Sequence, residues 1–375
     1  MPEQNPMVSL TVCVRDGVDW IDGCIESLKA QTYRPIEIIA VDDGSSDGSK
    51  KKLLAWHDLE AEVPTRILTQ EPKGLSSGRQ WAVDESKGDW IAITDIDVRP
   101  EPDWISKLVE NTQPIDENEK VVAVTGRTVF KHAGDIVSRV RSVEIATKYR
   151  SRPRQTSLAN GPCSMFERQS LLGIGGFDPK WYHAEDMEVS LRLMAEGGTI
   201  VYAPDAVVHH VPEIESSRFL AKRCRDARAH TRIVRHYPRR KRTGPGLDFI
   251  GSSTVVLAVF PLWLMALVSG IPFLTSFITQ PDWSWEVAQT WWQTKLLLFT
   301  LILMVIHEII LWRGPLGVVN RGALKAGKFS IFEIFKIRNL TMRWSIALWK
   351  GLALGIKDAI QGKNGHKPMF GQQQK

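Results

Sequence analysis

Trp90-Ile-Ala-Ile-Thr94-Asp95-Ile96-Asp97 is an uncharged run of apolar and β-branched residues that ends on two carboxylates one residue apart. Such a run suits a buried strand, and the acids mark where it stops. Towards the N-terminus, Ile36-Glu-Ile-Ile-Ala-Val41 repeats the pattern and is halted by Asp42-Asp43-Gly44. Ser9 to Val14 and Thr65 to Thr69 also read as strands, with helical composition between them from Val18 to Ala30, Asp47 to His57 and Leu75 to Lys87. Strands alternating with helices imply parallel βαβ units in a doubly wound α/β sheet. In such sheets ligands collect at the carboxyl ends of the strands, where both acidic clusters fall.

Asp95 and Asp97 form a D-x-D pattern. Two carboxylates at a strand end can meet a hard cation, Mg2+ or Mn2+, and the phosphates that it carries. A sugar diphosphate leaving group calls for that charge, because its own negative charge grows as the glycosidic bond breaks. Four further clusters follow. Val41-Asp42-Asp43-Gly44-Ser45-Ser46-Asp47 offers carboxylates to the N3–H of a uracil-like base. Gly74-Leu-Ser-Ser-Gly78-Arg79 opens a helix and brings a positive fork suited to phosphate oxygens. Gly175-Gly176-Phe177-Asp178 precedes Ala184-Glu185-Asp186-Met-Glu188, and Tyr202-Ala-Pro204 leads to Ala206-Val-Val208-His209-His210.

Taken together and in this order, the motifs between Val8 and Pro212 resemble those of the family 2 glycosyltransferases, whose nucleotide-sugar domain has the Rossmann-like GT-A fold. The resemblance implies a mostly parallel sheet and an inverting transfer. By it, Asp42 and Asp43 address the base and ribose, Arg79 the diphosphate, and Asp95 and Asp97 the donor sugar and metal. Asp186 would be the general base, with Glu185 as the next candidate, and a terminal histidine would be the third metal ligand. Alternation with Ala206 and Val208 favours His210 over His209. Asp186 opens an acidic helix start, where dipole and backbone N–H groups are expected to keep it ionised. Three departures from the family pattern stand out. Arg15-Asp16-Gly17 replaces a Pro-x-x-Asn-Glu type turn, Gln80 stands where Asn commonly follows the arginine, and Glu188 replaces an Asp.

Beyond Tyr237 the composition shifts. Tyr237-Pro-Arg-Arg-Lys-Arg-Thr-Gly-Pro-Gly246 is a basic Pro/Gly linker, and Phe249 to Ile271 holds no charge, enough to cross a bilayer. Trp291 to Trp312 is a second candidate span, interrupted by His307 and Glu308. We therefore divide the chain into a catalytic domain (1–245), a transmembrane hairpin (246–313) and amphipathic interfacial helices with a polar tail (314–375). Arg239 to Arg242 precede the hairpin, Arg313, Arg321, Lys325 and Lys328 follow it, and Pro272 to Thr294 holds no Lys or Arg. This asymmetry puts both flanks and the catalytic domain on the cytoplasmic side. The opening Met1-Pro-Glu-Gln-Asn-Pro6 has neither basic nor apolar run, so no signal peptide is expected there. Cys13, Cys24, Cys163 and Cys224 are widely spaced without a C-x-x-C pair, as free thiols would be.

The net charge of +6 crowds against the membrane flank: Glu215 to Arg242 holds eleven Lys/Arg against two acids. Anionic lipid headgroups or a lipid pyrophosphate are its expected partners, and nucleic acid is not. A UDP-sugar donor and a sugar hydroxyl on a lipid-linked saccharide are the expected substrates, in cell-envelope glycan synthesis. The chain lacks the Gln-x-x-Arg-Trp motif of processive synthases. The alternatives are a polyprenyl-phosphate sugar synthase and a non-catalytic membrane scaffold with a nucleotide-sugar-like domain.

Overall fold

In the computed structural model, the described residues are 5–131, 133–181, 183–243, 253–279, 284–288, 291–314, 317, 319 and 331–363. The start of the first expected span at 249–252, Trp283, the flanking Arg321, Lys325 and Lys328, and the polar tail past 363 lie outside them.

The alternation expected for the first hundred residues is present. Strands β1 (Val8–Val14), β2 (Ile36–Asp43), β3 (Thr65–Gln70) and β4 (Trp90–Asp95) alternate with helices α1 (Ile21–Lys29), α2 (Ser49–Leu54) and α3 (Leu75–Glu85). The four strands pair in parallel in the order β3-β2-β1-β4. The chain continues through β5 (Val98–Pro100), α4 (Trp104–Glu110), β6 (Val121–Phe130), α5 (Ile136–Arg150) and β7 (Ser164–Glu167). Then come α6 (Arg168–Gly173), α7 (Glu185–Ala195), β8 (Thr199–His210) and α8 (Ser216–His236).

One eight-stranded sheet results, ordered β3-β2-β1-β4-β7-β6-β8-β5. β7 runs antiparallel to both β4 and β6, β8 runs parallel to β6, and β5 closes the edge antiparallel to β8. Six of the eight strands, β1 to β4 with β6 and β8, therefore point the same way. Their carboxyl ends carry Asp42 and Asp43 (β2), Asp95 (β4), Phe130 (β6) and His210 (β8) along one rim. The sheet is covered on both faces by apolar side chains. Leu10, Ile38, Trp104 and Leu108 belong to one cluster, and Ile91, Phe166, Phe177 and Met187 to another.

The C-terminal region is helical: α9 (Thr254–Leu257), α10 (Val259–Thr279), α11 (Trp285–Ala288), α12 (Trp292–Arg313) and α13 (Ile331–Ile360). Thr254–Thr279 and Trp292–Arg313 are long and apolar enough to cross a membrane, with mean hydropathies of 2.2 and 2.1. In each, only 17% of an 18-residue apolar stretch is buried within the chain, so its apolar surface needs another cover. The residues that interrupt the second run have partners: His307 Nε2 meets the Val255 carbonyl at 2.7 Å, and Glu308 pairs with Arg338 of α13.

α13 is one helix, and it is not solely a surface helix. Its seam of Ile337, Leu340, Trp344 and Leu348 packs with Phe219 and Ala227 of α8, and Asp358 accepts two hydrogen bonds from Arg228 at 2.6 and 2.8 Å. A second set, Phe332, Phe335, Ile346, Trp349, Ile356 and Ile360, remains exposed.

Candidate active site

The site is built from the rim. Asp43 ends β2 with its carboxylate turned into the protein: Oδ1 accepts from Gln70 Nε2 and the Lys73 N–H, both at 2.7 Å, and Oδ2 from the Gly74 N–H at 2.9 Å. It thereby fixes the loop that starts α3, while Arg15 approaches at 3.8 Å. Gly44 (φ +69°) has no room for a side chain, since a Cβ would lie 2.5 Å from Pro72. Asp42 is the opposite case. Its Oδ1 accepts weakly from the Ser45 N–H at 3.3 Å, and its buried Oδ2 has no hydrogen-bond partner. A buried carboxylate oxygen left unmatched is costly, and the N–H of a base would satisfy it.

The unusual Arg15-Asp16-Gly17 segment is stitched to the loop after β2. Asp16 takes αL geometry (φ +50°), and its Oδ1 accepts from the Ser46 N–H at 2.7 Å. The Gly17 N–H donates to Ser49 Oγ, and the Val18 N–H to Asp47, each at 3.0 Å. Asp16 and Asp47 thus join the two loops beside Asp42.

Arg79 lies at the centre. It projects from α3, is 3% exposed, and donates to Glu185 Oε1 at 2.6 Å and Asp95 Oδ1 at 2.9 Å. The guanidinium thus ties β4 to α7, with each terminal nitrogen already donating to one protein carboxylate. Burial pushes the Glu185 carboxyl up to about 7 against the pull of Arg79. Asp186 accepts from the Gly161 N–H at 3.1 Å and the Met187 N–H at 2.8 Å. Burial nevertheless raises its pKa, with Arg79 and these N–H groups pulling the other way. Desolvation therefore outweighs the helix-start environment expected to keep Asp186 ionised.

Beyond β4, Asp97 Oδ2 stands 3.4 Å from His210 Nε2. His210 Nδ1 lies 2.8 Å from the Val211 carbonyl, a geometry in which Nδ1–H donates, and Nε2 is the nitrogen that faces Asp97. The imidazole is held on its flat face by Phe130, with centroids 4.3 Å apart, and Arg141 lies over Phe130 at 4.8 Å. His209, one residue earlier and on the other side of the strand, instead meets Glu101 at 2.9 Å. A carboxylate and an imidazole nitrogen set side by side are donor types that suit a divalent cation that also takes diphosphate oxygens. Among the described residues no three His, Cys, Asp or Glu side chains gather into a metal site by themselves.

Sequence reasoning passed over the segment that joins these parts. The Asn160 side chain donates to Tyr149 Oη at 2.9 Å and Thr125 Oγ1 at 3.0 Å, and Gly161 holds Asp186. The Gly161-Pro162 pair ahead of β7 was the available signal, as was the basic alternation of Lys148, Arg150, Arg152 and Arg154.

Comparison with known proteins bears out the fold. Residues 9–174 match the model described as glycosyl transferase family 2, and the chain carries a domain of that family with the GT-A fold. A poly-beta-1,6-N-acetyl-D-glucosamine synthase of Staphylococcus aureus (strain MSSA476) is 24% identical over 211 residues, 55% of this chain and 50% of that one. A glucosyl-dolichyl phosphate glucuronosyltransferase of Haloferax volcanii is 26% identical over 223 residues, 54% of this chain and 68% of that one. The chain spans about half the length of the first curated relatives that it matches, 42% and 50%. Among solved structures, the mannosyltransferase PcManGT from Pyrobaculum calidifontis in complex with GDP-Man and Mn2+ shares the fold. Its TM-score is 0.58 at 17% identity, with 95% of this chain and 89% of that one covered. At that coverage the likeness takes in the C-terminal helices as well as the sheet.

Proposed function

We propose that the protein is an inverting glycosyltransferase that moves a sugar from a nucleotide-diphosphate donor to a hydroxyl of a lipid-linked saccharide at the cytoplasmic membrane face. The observation that carries this reading is the convergence on one rim of an unmatched Asp42 oxygen, the Asp97–His210 pair and the Arg79–Glu185–Asp186 group. The relative named for glucosyl-dolichyl phosphate supports the choice of acceptor class, and the two apolar helices support the membrane setting.

Asp42 addresses the base. Asp43 and Arg79 act through others: Asp43 fixes the α3 loop, and Arg79 orients Asp95 and Glu185. Asp97 and His210 would hold Mg2+ or Mn2+, which supplies positive charge to the departing diphosphate. Asp186 takes the proton of the acceptor hydroxyl as that oxygen bonds to the anomeric carbon and the bond to the diphosphate breaks. One displacement from the opposite face inverts the centre.

The full chain in detergent is tested with a panel of nucleotide sugars, Mn2+ and lipid-extracted acceptors, following label transfer. Asp97→Ala should abolish transfer while the thermal midpoint stays near that of the parent, and excess EDTA should do the same to the parent enzyme. Full activity in that variant or in EDTA would refute the metal assignment. Turnover on bare polyprenyl phosphate in preference to lipid-linked saccharide would instead make it a polyprenyl-phosphate sugar synthase.

A further inference from the structure

A cavity of about 590 Å³ opens between the end of β6, the last turns of α5 and β8. Its volume is that of a small-molecule site. Arg127, Arg150, Arg152 and Arg154 line it together with Tyr149 and Tyr202, and no carboxylate does. Arg154 is engaged by Glu119. Arg152 is not matched in this way. Its guanidinium lies over the rings of Tyr149 and Tyr202, at 5.1 and 5.5 Å, while its Nε and Nη1 are buried without a hydrogen-bond partner. Arg127 and Arg150 are exposed at the mouth and make no ion pair with a described residue. Three of the four arginines, Arg127, Arg150 and Arg152, are thus paired with no described carboxylate, and the cavity presents uncompensated positive charge that suits an anion.

Its walls reach the reaction centre by two routes. Phe130 lines the cavity and stacks on His210. Tyr149 lines it too, and its hydroxyl accepts from Asn160, the neighbour of the Gly161 whose N–H holds Asp186. In the other direction α5 runs to the C-terminal helices: Val137 and Val140 join the cluster of Leu340 and Trp344, and Arg139 pairs with Glu333. Contacts from the cavity walls thus run to the base in one direction and along α5 to α13 in the other.

We propose that this cavity is the phosphate subsite of the acceptor. Arg152 binds the phosphate that joins a saccharide to its carrier, Arg127 and Arg150 assist at the mouth, and the saccharide hydroxyl reaches Asp186. Arginine matches a tetrahedral oxyanion through several N–H donors at once and stays charged throughout. This subsite rests on the transfer reaction proposed above. The measurement below uses neither donor nor turnover, so either can fail without the other.

Titration calorimetry on the full chain in detergent, with EDTA present to silence the metal pair, should detect saturable binding of glucose 1-phosphate and of farnesyl phosphate. Glucose and farnesol serve as controls. Arg152→Gln should weaken both phosphates by about 10- to 100-fold, the scale of a hydrogen bond to a charged group. Should Arg152→Gln unfold the protein, the double variant Arg127→Gln/Arg150→Gln, confined to exposed side chains, should still weaken binding several-fold. Tighter binding of farnesyl phosphate supports a lipid carrier, and tighter binding of glucose 1-phosphate a soluble sugar phosphate. No saturable binding to the parent, or binding that survives in both variants, overturns the proposal.

Discussion

Asp186 and Gly161 face one another across a contact in which each constrains the other's chemistry. As a base Asp186 must be ionised, and burial raises its pKa above the ordinary aspartate range. The sign follows: protonation disables it, so the acid limb of kcat/KM should lie above the pH at which a solvated aspartate titrates. Asp186→Asn should bind nucleotide sugar as the parent does and lose roughly 10²–10⁴ in transfer. Lost donor affinity with near-normal turnover would move the role to Glu185. Gly161 is there because the guanidinium is: a Cβ would sit 2.7 Å from Arg79 Nη2 and 3.1 Å from Nη1. Arg79 cannot yield without loosening Asp95 or Glu185, so Gly161→Ala should destabilise by about 1–3 kcal/mol, the usual cost of overpacking, read by denaturant unfolding. The carboxylates were legible at this scale because acids at strand ends stand out in a run of apolar residues. The engagement of Asp43 and Arg79 by protein partners was not, since a motif records a residue type at a spacing and carries nothing of what lies opposite it. Asn160 and Arg152 escaped for the same reason: the Gly161-Pro162 pair and the basic alternation from Lys148 to Arg154 carry nothing of what those side chains meet.

Elements followed the sequence wherever a single period governed them. β1 to β4 and their helices read correctly because each strand is a short apolar run with a helix between it and the next. β7 is the instructive case. Its four residues are too few to show a period, yet its insertion antiparallel between β4 and β6 brings the Gly161 turn beside Asp95's strand. α13 fails differently: its composition is amphipathic, but two apolar stripes run along one helix of ~45 Å. One faces α8 and the other is left exposed, and a hydrophobicity pattern averages them. The buried stripe depends on two glycines. Gly351 rests on α8 so closely that a Cβ would lie 2.2 Å from the Cys224 carbonyl, and at Gly355 one would lie 2.6 Å from Thr231. Gly351→Leu should therefore lift α13 from α8, exposing Trp344 and its edge-on contact with Phe219. Limited proteolysis should then cut within 331–360 in the variant and spare the parent. Equal protection would show that the Arg228–Asp358 pair and the remaining seam suffice.

For the whole molecule the question is where an ordered catalytic rim stands relative to a bilayer. Two helices with little internal cover flank a short segment that includes Ser284, while α8 and α13 lock the C-terminal region to the sheet domain. A hairpin of two spans, as proposed, would return the chain to the side on which it began and put the catalytic domain and α13 on one side. The charge distribution selects which side. Arg239, Arg240, Lys241 and Arg242 precede the first helix and Arg313 ends the second, whereas Pro272 to Thr294 contains no Lys or Arg. On the topology proposed above, retention of basic residues on the cytoplasmic side would direct the catalytic rim inward and Ser284 outward. The basic face of α8 would gain further from anionic lipid on that side, at about 1 kcal/mol per Lys or Arg near the surface. The prediction is tested with Ser284→Cys in a background lacking the partly exposed Cys13 and Cys224. A membrane-impermeant maleimide applied to intact cells should label position 284 from outside, and a cysteine placed at the exposed Ser217 should react only after lysis. Labelling of 284 solely from the cytoplasmic side would mean that the helices do not span, and that the exposed stripes of α10, α12 and α13 all lie along one membrane surface.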